Sequence, residues 1–236
     1  MLYYSRLLMF LHKAQGQQLR AGFLLAGGKS SRMGADKAFL VFDGQTLLER
    51  ALVVLGTVCD TVTIVGDPAK FAEYGAAKYK AASKYDTSKY DTSKRGSLVA
   101  DIFAGCGPLA GIHAALVHST AELNLMLAVD MPFVSSELMA FVLTAAARSS
   151  AIITVPRTSQ GLQPLCAVYR REFLTIAEQF LRAGRYKIDA AFAGVSIREI
   201  DASELAAAGF TERSFFNVNT PRDRLAAEGE GFDFPS

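Results

Sequence analysis

The chain has 236 residues, of which half are hydrophobic and one fifth are charged, and this composition excludes a largely disordered or collagen-like protein. Its 25 lysines and arginines nearly balance its 23 aspartates and glutamates, for a net charge of +2. A balance so close to neutral argues against nucleic acid or an anionic membrane as a partner, although it leaves room for a local phosphate site.

Residues 1–20 are predicted to be an N-terminal extension ahead of a single domain over residues 21–236. Their longest apolar run is far shorter than the ~20 apolar residues that a membrane helix needs, and it is also short for a signal peptide. The extension carries three cations and no acid, so a weakly surface-binding helix is the alternative. The three cysteines are far apart and form no Cys-x-x-Cys pair, which is typical of a reducing compartment. We therefore expect a cytoplasmic protein without a membrane span.

After residue 20, short apolar runs alternate with longer segments of helical periodicity. Continuous apolar or β-branched runs predict strands at 23–25, 61–65, 123–129, 152–155 and 167–169. Apolar residues at helical spacing predict helices at 46–55, 109–117, 135–147 and 172–181. Thr46 is expected to cap the first of these helices, and Ser135 or Ser136 the third. Strands that are apolar on both faces and alternate with helices predict an α/β fold, with a mostly parallel sheet covered by helices on both faces.

A polar stretch around residues 78–96 interrupts this alternation. Within it, the pentapeptide at 85–89 is repeated at once at 90–94. Two copies of five residues are far too short for a structural repeat, and the stretch offers no apolar face. An exposed surface loop is the expected structure, and a basic flap over an anionic ligand is the alternative.

The segment from Leu25 to Lys37 is the most informative part of the chain, because a strand is followed there by two glycines and a cationic loop. Gly27 and Gly28 allow the backbone to pass close to a ligand and to turn its N–H groups towards it. Arg32 can bind phosphate oxygens through two donors, and Lys37 supplies a point charge. The segment matches neither the P-loop nor the dinucleotide fingerprint, and glycines also serve ordinary tight turns.

Two aspartates extend this candidate site. Asp130 directly follows a predicted buried strand, and ligands of open α/β sheets bind beyond the carboxyl ends of the strands. A carboxylate there can hold Mg²⁺ together with substrate phosphates, although it could equally stabilise the turn before Pro132. Asp101 precedes a second glycine-rich segment, 105–111, which opens a predicted helix.

Five motifs follow one another in chain order: L-A-G-G-x-S-S-R-M-G-x-D-K, G-P-L-A-G, V-D-M-P, Q-P-L-C-A-V-Y and F-F-N-V-N-T-P. Together they resemble the molybdenum cofactor guanylyltransferases. The resemblance extends from residue 21 to about residue 225. The chain departs from it at Gln163, where some members have histidine, and in the N-terminal extension and the pentapeptide repeat. Members of this family transfer GMP from GTP to the terminal phosphate of molybdopterin and release pyrophosphate, on a Rossmann-like nucleotidyltransferase fold.

The resemblance implies a role for each candidate residue. The residues implied to bind the nucleotide are Leu25, Ala26, Gly27, Gly28, Lys37, Asp101 and Asp130. The residues implied to be catalytic are Arg32, Lys37 and Asp130, of which Asp130 would hold the cofactor Mg²⁺. The residues implied to face the pterin are Lys187, Asn217 and Asn219. GTP and molybdopterin are the implied substrates, with transient contacts to proteins that mature molybdoenzymes.

Two other functions stay open at this point. A related nucleotidylyltransferase could use CTP or another phosphorylated acceptor, because a fold determines neither the base nor the acceptor. A non-catalytic nucleotide-binding protein that delivers the cofactor is the second alternative. The presence of Arg32, Lys37 and Asp130 together argues against this second alternative.

Overall fold

The structure of the protein is a computed structural model that describes residues 18–27, 37–71 and 97–220, together with residues 222, 223 and 225. Four sequence-based predictions fall outside the described residues: most of the N-terminal extension, Gly28, Arg32 and the polar loop around 78–96. Among the described residues, no helix is long and apolar enough to cross a bilayer.

Strands and helices alternate along the described part of the chain. Its strands are β1 (Arg20–Leu25), β2 (Val41–Phe42), β3 (Gln45–Thr46), β4 (Thr61–Val65), β5 (Ser97–Val99), β6 (Leu123–Ala128), β7 (Ile153–Thr158), β8 (Gly161–Leu162), β9 (Cys166–Tyr169) and β10 (Ile197–Ile200). Its helices are α1 (Leu47–Val58), α2 (Pro68–Phe71), α3 (Pro108–His118), α4 (Ser136–Ala147), α5 (Phe173–Arg182), α6 (Ile188–Phe192) and α7 (Ala202–Ala207). Every strand and helix predicted from the sequence is present, with ends that differ by a few residues.

Local sequence determines where three of the helices begin. Thr46 caps α1 as predicted: its hydroxyl accepts from Glu49 N at 3.2 Å, and the Glu49 carboxylate accepts from Thr46 N at 2.9 Å. This reciprocal pair is a capping box. Ser135 accepts from Leu138 N at 3.2 Å and so begins α4. Helix α3 begins at Pro108, which has no N–H to leave unpaired in a first turn.

Seven of the strands form one central sheet in the order β10-β7-β9-β6-β1-β4-β5, and β8 pairs with β7 beside it. Along this order all neighbours are parallel except at β9, which is antiparallel to both β6 and β7. The prediction of a mostly parallel sheet is therefore confirmed. Strands β2 and β3 form a separate antiparallel hairpin.

Different helices bury the two faces of the sheet, which confirms the predicted helix-covered architecture. Successive residues of a strand point to opposite faces, so Leu24 of β1 joins a core with α1 and α4, whereas Phe23 joins a core with α3 and α5. Gly22 lets α1 and the residue after it approach β1 closely, because a Cβ at position 22 would lie 3.0 Å from Cys59 Sγ. β1 lies inside the sheet between β6 and β4, and five of its six residues are buried.

Candidate active site

The carboxyl ends of β1 and β6 lie side by side at a point where the chain changes direction across the sheet. From β1 the chain continues to β4 on one side, whereas from β6 it continues through α4 to β7 on the other side. In open α/β sheets such a reversal opens a crevice in which ligands bind. Ala26 and Asp130, which follow these two strands, are therefore at the expected place for a site. Ala26 N donates to Val65 O at 2.9 Å, and Val129 N donates to Leu25 O at 3.2 Å.

In this crevice Lys37 contacts two other residues that the sequence analysis selected from distant parts of the chain. Lys37 Nζ lies 3.2 Å from Asp130 Oδ2 and donates to Asn219 Oδ1 at 2.6 Å. The side chains of Lys37 and Asp130 are 21% and 20% exposed, so the pair is open to a ligand from solvent. Val218 N donates to Asp130 O at 2.8 Å, which fixes the segment that carries Asn219 against the end of β6. We call Lys37, Asp130 and Asn219 the Lys37 cluster.

A second group of predicted nucleotide-binding residues surrounds Asp101. A Cβ added at Gly27 would lie 3.3 Å from Asp101 Oδ2, and one added at Gly111 would lie 3.7 Å from Asp101 Oδ1 and 3.4 Å from Leu25 Cδ2. Gly27 therefore gives the Asp101 carboxylate room beside the end of β1, whereas a Cβ at Gly111 of α3 would make only ordinary van der Waals contact with it. We call Leu25, Gly27, Asp101 and Gly111 the Asp101 region.

The Asp101 carboxylate is poorly satisfied by the protein. Its Oδ1 atom is buried and has no hydrogen-bond partner among the described residues. Burial raises the pKa of the Asp101 carboxyl above its ordinary value, because it penalises the charged form. Buried polar atoms in native proteins nearly always have a partner, so an unpaired acceptor in a crevice indicates a ligand that brings a donor.

The Lys37 cluster has the chemistry to accept a hard cation. Asp130 and Asn219 offer a carboxylate and an amide oxygen, the ligand types that Mg²⁺ prefers, and the Lys37 ammonium already lies against both. The carboxylate is bonded to Lys37 and, within the described residues, not to the backbone of its own turn, so a role in the turn alone is not favoured. No group of three or more His, Cys, Asp or Glu among the described residues could hold an ion by itself. A metal at Asp130 would therefore share its coordination with substrate phosphates.

The two other predicted pterin-binding residues lie outside the Lys37 cluster. Asn217 is partly buried, and its Nδ2 donates to Phe215 O at 3.1 Å, which stabilises the turn before Val218. Lys187 is exposed at the N-terminal cap position of α6. Its neighbour Tyr186 contacts Cys106, and this contact raises the pKa of the Tyr186 hydroxyl. Lys187 is therefore beside the loop that follows Asp101, and the structure describes no contact between it and the Lys37 cluster.

Sequence reasoning missed two residues that support the site. Arg50 donates from Nε and Nη2 to Pro132 O at 3.4 and 3.3 Å, and so holds the turn that follows Asp130. Asp223 Oδ2 accepts from Asn219 N at 2.7 Å and so holds the backbone of Asn219. No motif pointed to Arg50, but the Thr-x-x-Asp spacing from Thr220 to Asp223 resembles a capping box and could have been recognised.

The fold is shared with several solved structures. The structure is similar to that of molybdopterin-guanine dinucleotide biosynthesis protein A from Archaeoglobus fulgidus, with a TM-score of 0.70 and 26% identity over 89% of this chain and 97% of that one. It is also similar in fold to 2-C-methyl-D-erythritol 4-phosphate cytidylyltransferase from Thermus thermophilus, with a TM-score of 0.57 and 19% identity over 88% of this chain and 96% of that one. The chain therefore shares its α/β fold with these two proteins.

Sequence comparison narrows this fold to a family. The model of the MobA-like NTP transferase domain matches residues 22–202. A molybdenum cofactor guanylyltransferase from Desulfosudis oleivorans is 31% identical over 88% of this chain and 93% of its own length. A probable molybdenum cofactor guanylyltransferase from Pelotomaculum thermopropionicum is 34% identical over 87% of this chain and 90% of its own length. The chain belongs to the MobA-like NTP transferase family.

Proposed function

We propose that the protein transfers GMP from GTP to the terminal phosphate of molybdopterin, forming the guanine dinucleotide form of the cofactor and pyrophosphate. The observation that carries this proposal is the Lys37 cluster at the carboxyl ends of β1 and β6. It presents one cation and one carboxylate, each about a fifth exposed, where a phosphate chain would enter the crevice. The choice of a guanylyl group and of a molybdenum cofactor as the acceptor follows the names of the relatives from D. oleivorans and P. thermopropionicum.

The Asp101 region supports guanine as the base. Its unpaired Oδ1 atom needs a donor, and the second carboxylate oxygen lies beside Gly27. Guanine carries two adjacent N–H groups on its Watson–Crick edge, a pattern that one carboxylate can accept with both oxygens. Cytosine and adenine each present a single amino group there. A carboxylate at this place therefore favours GTP over CTP and ATP.

The charges of the Lys37 cluster explain how the reaction can proceed. The acceptor phosphate attacks the α-phosphorus, a new P–O bond forms, and the α–β bond breaks to release pyrophosphate. The acceptor is already an anion near pH 7, because its second pKa is about 6, so no general base is required. Lys37 offsets the negative charge on the triphosphate and exchanges its bond to Asn219 or Asp130 for a phosphate oxygen. Asn219 and Asp130 keep the ammonium in place until the substrates arrive.

We also propose that the reaction depends on Mg²⁺. The metal would be held by Asp130 together with phosphate oxygens, and when bound it would neutralise charge on the triphosphate. The cytoplasm is the proposed location, since Cys59, Cys106 and Cys166 are all free, as expected in a reducing compartment. Contact with proteins that mature molybdoenzymes stays a prediction.

The test is a comparison of four nucleotides on the full-length protein. Pyrophosphate release is measured with molybdopterin, Mg²⁺ and each of GTP, CTP, ATP and UTP, and binding is followed by the shift in Tm that each nucleotide produces. We expect product with GTP and the largest Tm shift from GTP with Mg²⁺. Omission of molybdopterin, or removal of Mg²⁺ by a chelator, should abolish product. Turnover of CTP at an equal or higher rate would contradict the guanine assignment, and product in the presence of the chelator would contradict the metal requirement.

A further inference from the structure

Asp223 binds the backbone of Asn219, a member of the Lys37 cluster, and of the next residue, Thr220. Asp223 Oδ2 accepts from Asn219 N and from Thr220 N, at 2.7 Å in both cases. In return, Asp223 N donates to Thr220 Oγ1 at 3.1 Å, and residues 222 and 223 are helical. This exchange is a capping box in which one carboxylate oxygen also reaches one residue further back. Hydrogen bonds from N–H groups to a carboxylate are roughly twice as strong as neutral ones, so these two bonds are a firm constraint.

The constraint matters because packing does little to fix Asn219. Val218 is buried and anchored to Asp130 O at 2.8 Å, but Asn219 itself is exposed. Its side-chain oxygen nevertheless accepts from Lys37 Nζ at 2.6 Å, the shortest contact in the cluster. The orientation of Asn219 therefore depends on its backbone, and that backbone is held on one side by Val218 and on the other by Asp223.

We propose that Asp223 is a positioning residue for nucleotidyl transfer. Asp223 has no hydrogen bond to Lys37 or Asp130. It fixes the backbone of residues 219 and 220, so that Asn219 Oδ1 can hold Lys37 Nζ beside Asp130. When Asp223 is replaced by alanine, Asn219 samples other orientations, and the Lys37 ammonium loses one of its two partners. A displacement of about 1 Å in a substrate-binding group can cost about 100-fold in rate, so even a small movement of Lys37 is measurable. The effect on turnover rests on the proposed function, whereas the effect on nucleotide binding does not depend on the acceptor.

The experiment is a double-mutant cycle on the full-length protein with Asp223→Ala, Asn219→Ala and the combined variant. We expect each single variant to lower kcat/KM for GTP by about tenfold. Because both changes act through the same Lys37 contact, the combined variant should be within about twofold of Asn219→Ala alone. A purely structural role for Asp223 would instead give effects that multiply. Asp223→Asn keeps an acceptor oxygen without the charge and should recover part of the lost activity.

Asp201→Ala is the matched control for the loss of a helix cap. Asp201 Oδ1 accepts from Ser203 N and Glu204 N at 2.8 and 2.9 Å at the start of α7, after the edge strand β10. This variant should lower Tm about as much as Asp223→Ala does and leave kcat/KM unchanged. The proposal is overturned if Asp223→Ala keeps parental kcat/KM while its Tm falls, or if its effect multiplies with that of Asn219→Ala.

Binding of GTP without molybdopterin, measured by calorimetry, separates this proposal from the proposed function. If the parent protein binds GTP but makes no product, the proposed acceptor is wrong. The double-mutant cycle is then calculated from the dissociation constants for GTP instead of from kcat/KM. If the parent prefers CTP, the cycle is run with CTP as the nucleotide. An additive cycle in a parent protein that binds its nucleotide refutes the role of Asp223 in either case.

Discussion

The two halves of the candidate site differ in how the protein satisfies their charges. In the Lys37 cluster, the Lys37 ammonium binds Asp130 and Asn219, so the described charges have partners before any ligand arrives. In the Asp101 region, a buried carboxylate oxygen has no partner among the described residues, and the glycines around it leave no side chain in its way. The Lys37 cluster must therefore exchange existing hydrogen bonds for bonds to a ligand, whereas the Asp101 region can accept a hydrogen bond from a ligand without losing one.

This difference predicts opposite responses to mutation. The Lys37–Asp130 pair is about a fifth exposed, and such pairs add at most about 1 kcal/mol to the free energy of unfolding. Removing its charge should therefore cost activity and almost no stability. Asp101 Oδ1 has no partner among the described residues, and an unpaired buried acceptor costs about 1–3 kcal/mol, so we expect this carboxylate to lower the stability of the ligand-free protein. Neutralising it should cost affinity and increase stability.

The largest effect is expected for Asp130→Asn. The substitution keeps the shape of the side chain but removes the charge that we assign to the metal and to Lys37. We expect turnover to fall by at least about 100-fold, as for the loss of a group that stabilises charge in a transition state. Tm should change by less than about 4 °C, which corresponds to about 1 kcal/mol for a chain of this size. Pyrophosphate release and thermal unfolding measure the two quantities.

Asp67 provides a control at an equivalent place in the sheet. Like Asp130, Asp67 comes two residues after the end of a strand, and a proline follows shortly after it. Its Oδ1, however, accepts from Ala69 N at 2.9 Å, so Asp67 caps the short helix α2. Asp67→Asn should leave pyrophosphate release close to that of the parent. Parental turnover in Asp130→Asn would show that the Lys37 cluster is not the reaction centre.

Sequence reasoning was most successful where local chemistry decides the structure. Strands β1 and β6 are mostly apolar because both of their faces are covered by helices, and α1 begins at a recognisable capping box. The same reasoning missed β10, in which Arg198 and Glu199 separate two isoleucines. These charged residues are tolerated because β10 is at the sheet edge, where Glu199 pairs with Arg157 and Arg198 pairs with Glu204. An edge strand of this kind has no continuous apolar signal.

Within the site, sequence reasoning identified the residues but not the contacts between them. The motifs identified Lys37, Asp130 and Asn219, but only the fold shows that Asn219 contacts Lys37. This contact joins residues 182 positions apart, and no local pattern encodes such a distance. The antiparallel direction of β9 was unpredictable for the same reason, since it depends on the path of the chain between strands.

A smaller and opposite effect is expected for Asp101→Asn. We expect the affinity for GTP to fall by about tenfold, because one hydrogen bond to a charged acceptor is worth about 1.5–3 kcal/mol. The ligand-free protein should become more stable by about 1 kcal/mol at pH 7, since the buried charge is removed. Calorimetric titration with GTP and thermal unfolding without nucleotide test the two halves of this prediction.

The pH dependence of this stability difference is a further check. Burial raises the pKa of Asp101, so the folded protein holds this proton at a higher pH than the unfolded chain, whose carboxyl titrates at 3.8. The penalty for the parent therefore grows as pH rises from 3.8 towards the raised pKa and is complete above it. As pH falls towards about 4, the parent becomes protonated and the advantage of Asp101→Asn should disappear. A variant that is less stable than the parent at pH 7 would contradict the raised pKa of Asp101.

The smallest effect concerns His113, an unpaired polar group on the inner face of α3. It is 2% exposed, neither ring nitrogen has a partner among the described residues, and its ring meets the edge of Phe103 at 5.1 Å between centroids. Burial lowers the pKa of His113; Glu178 on α5 raises it and Arg182 lowers it, both by less than burial does. Unlike Asp101, His113 belongs to the core between α3 and α5. We therefore assign it no ligand.

His113→Leu should consequently stabilise the protein without changing nucleotide binding. Because the pKa is lowered on folding, the unfolded chain takes up a proton at this residue near pH 6.5 while the folded protein does not. The parent therefore loses stability as pH falls below that value, and the leucine variant lacks this loss. We expect the variant to be more stable by about 1 kcal/mol near neutral pH, with an advantage that increases towards about pH 5. Urea unfolding at the two pH values measures the difference, and calorimetry with GTP provides the comparison with Asp101→Asn. If His113→Leu weakened GTP binding as much as Asp101→Asn, the unpaired histidine would also belong to the site, and the distinction between the two buried groups would be wrong.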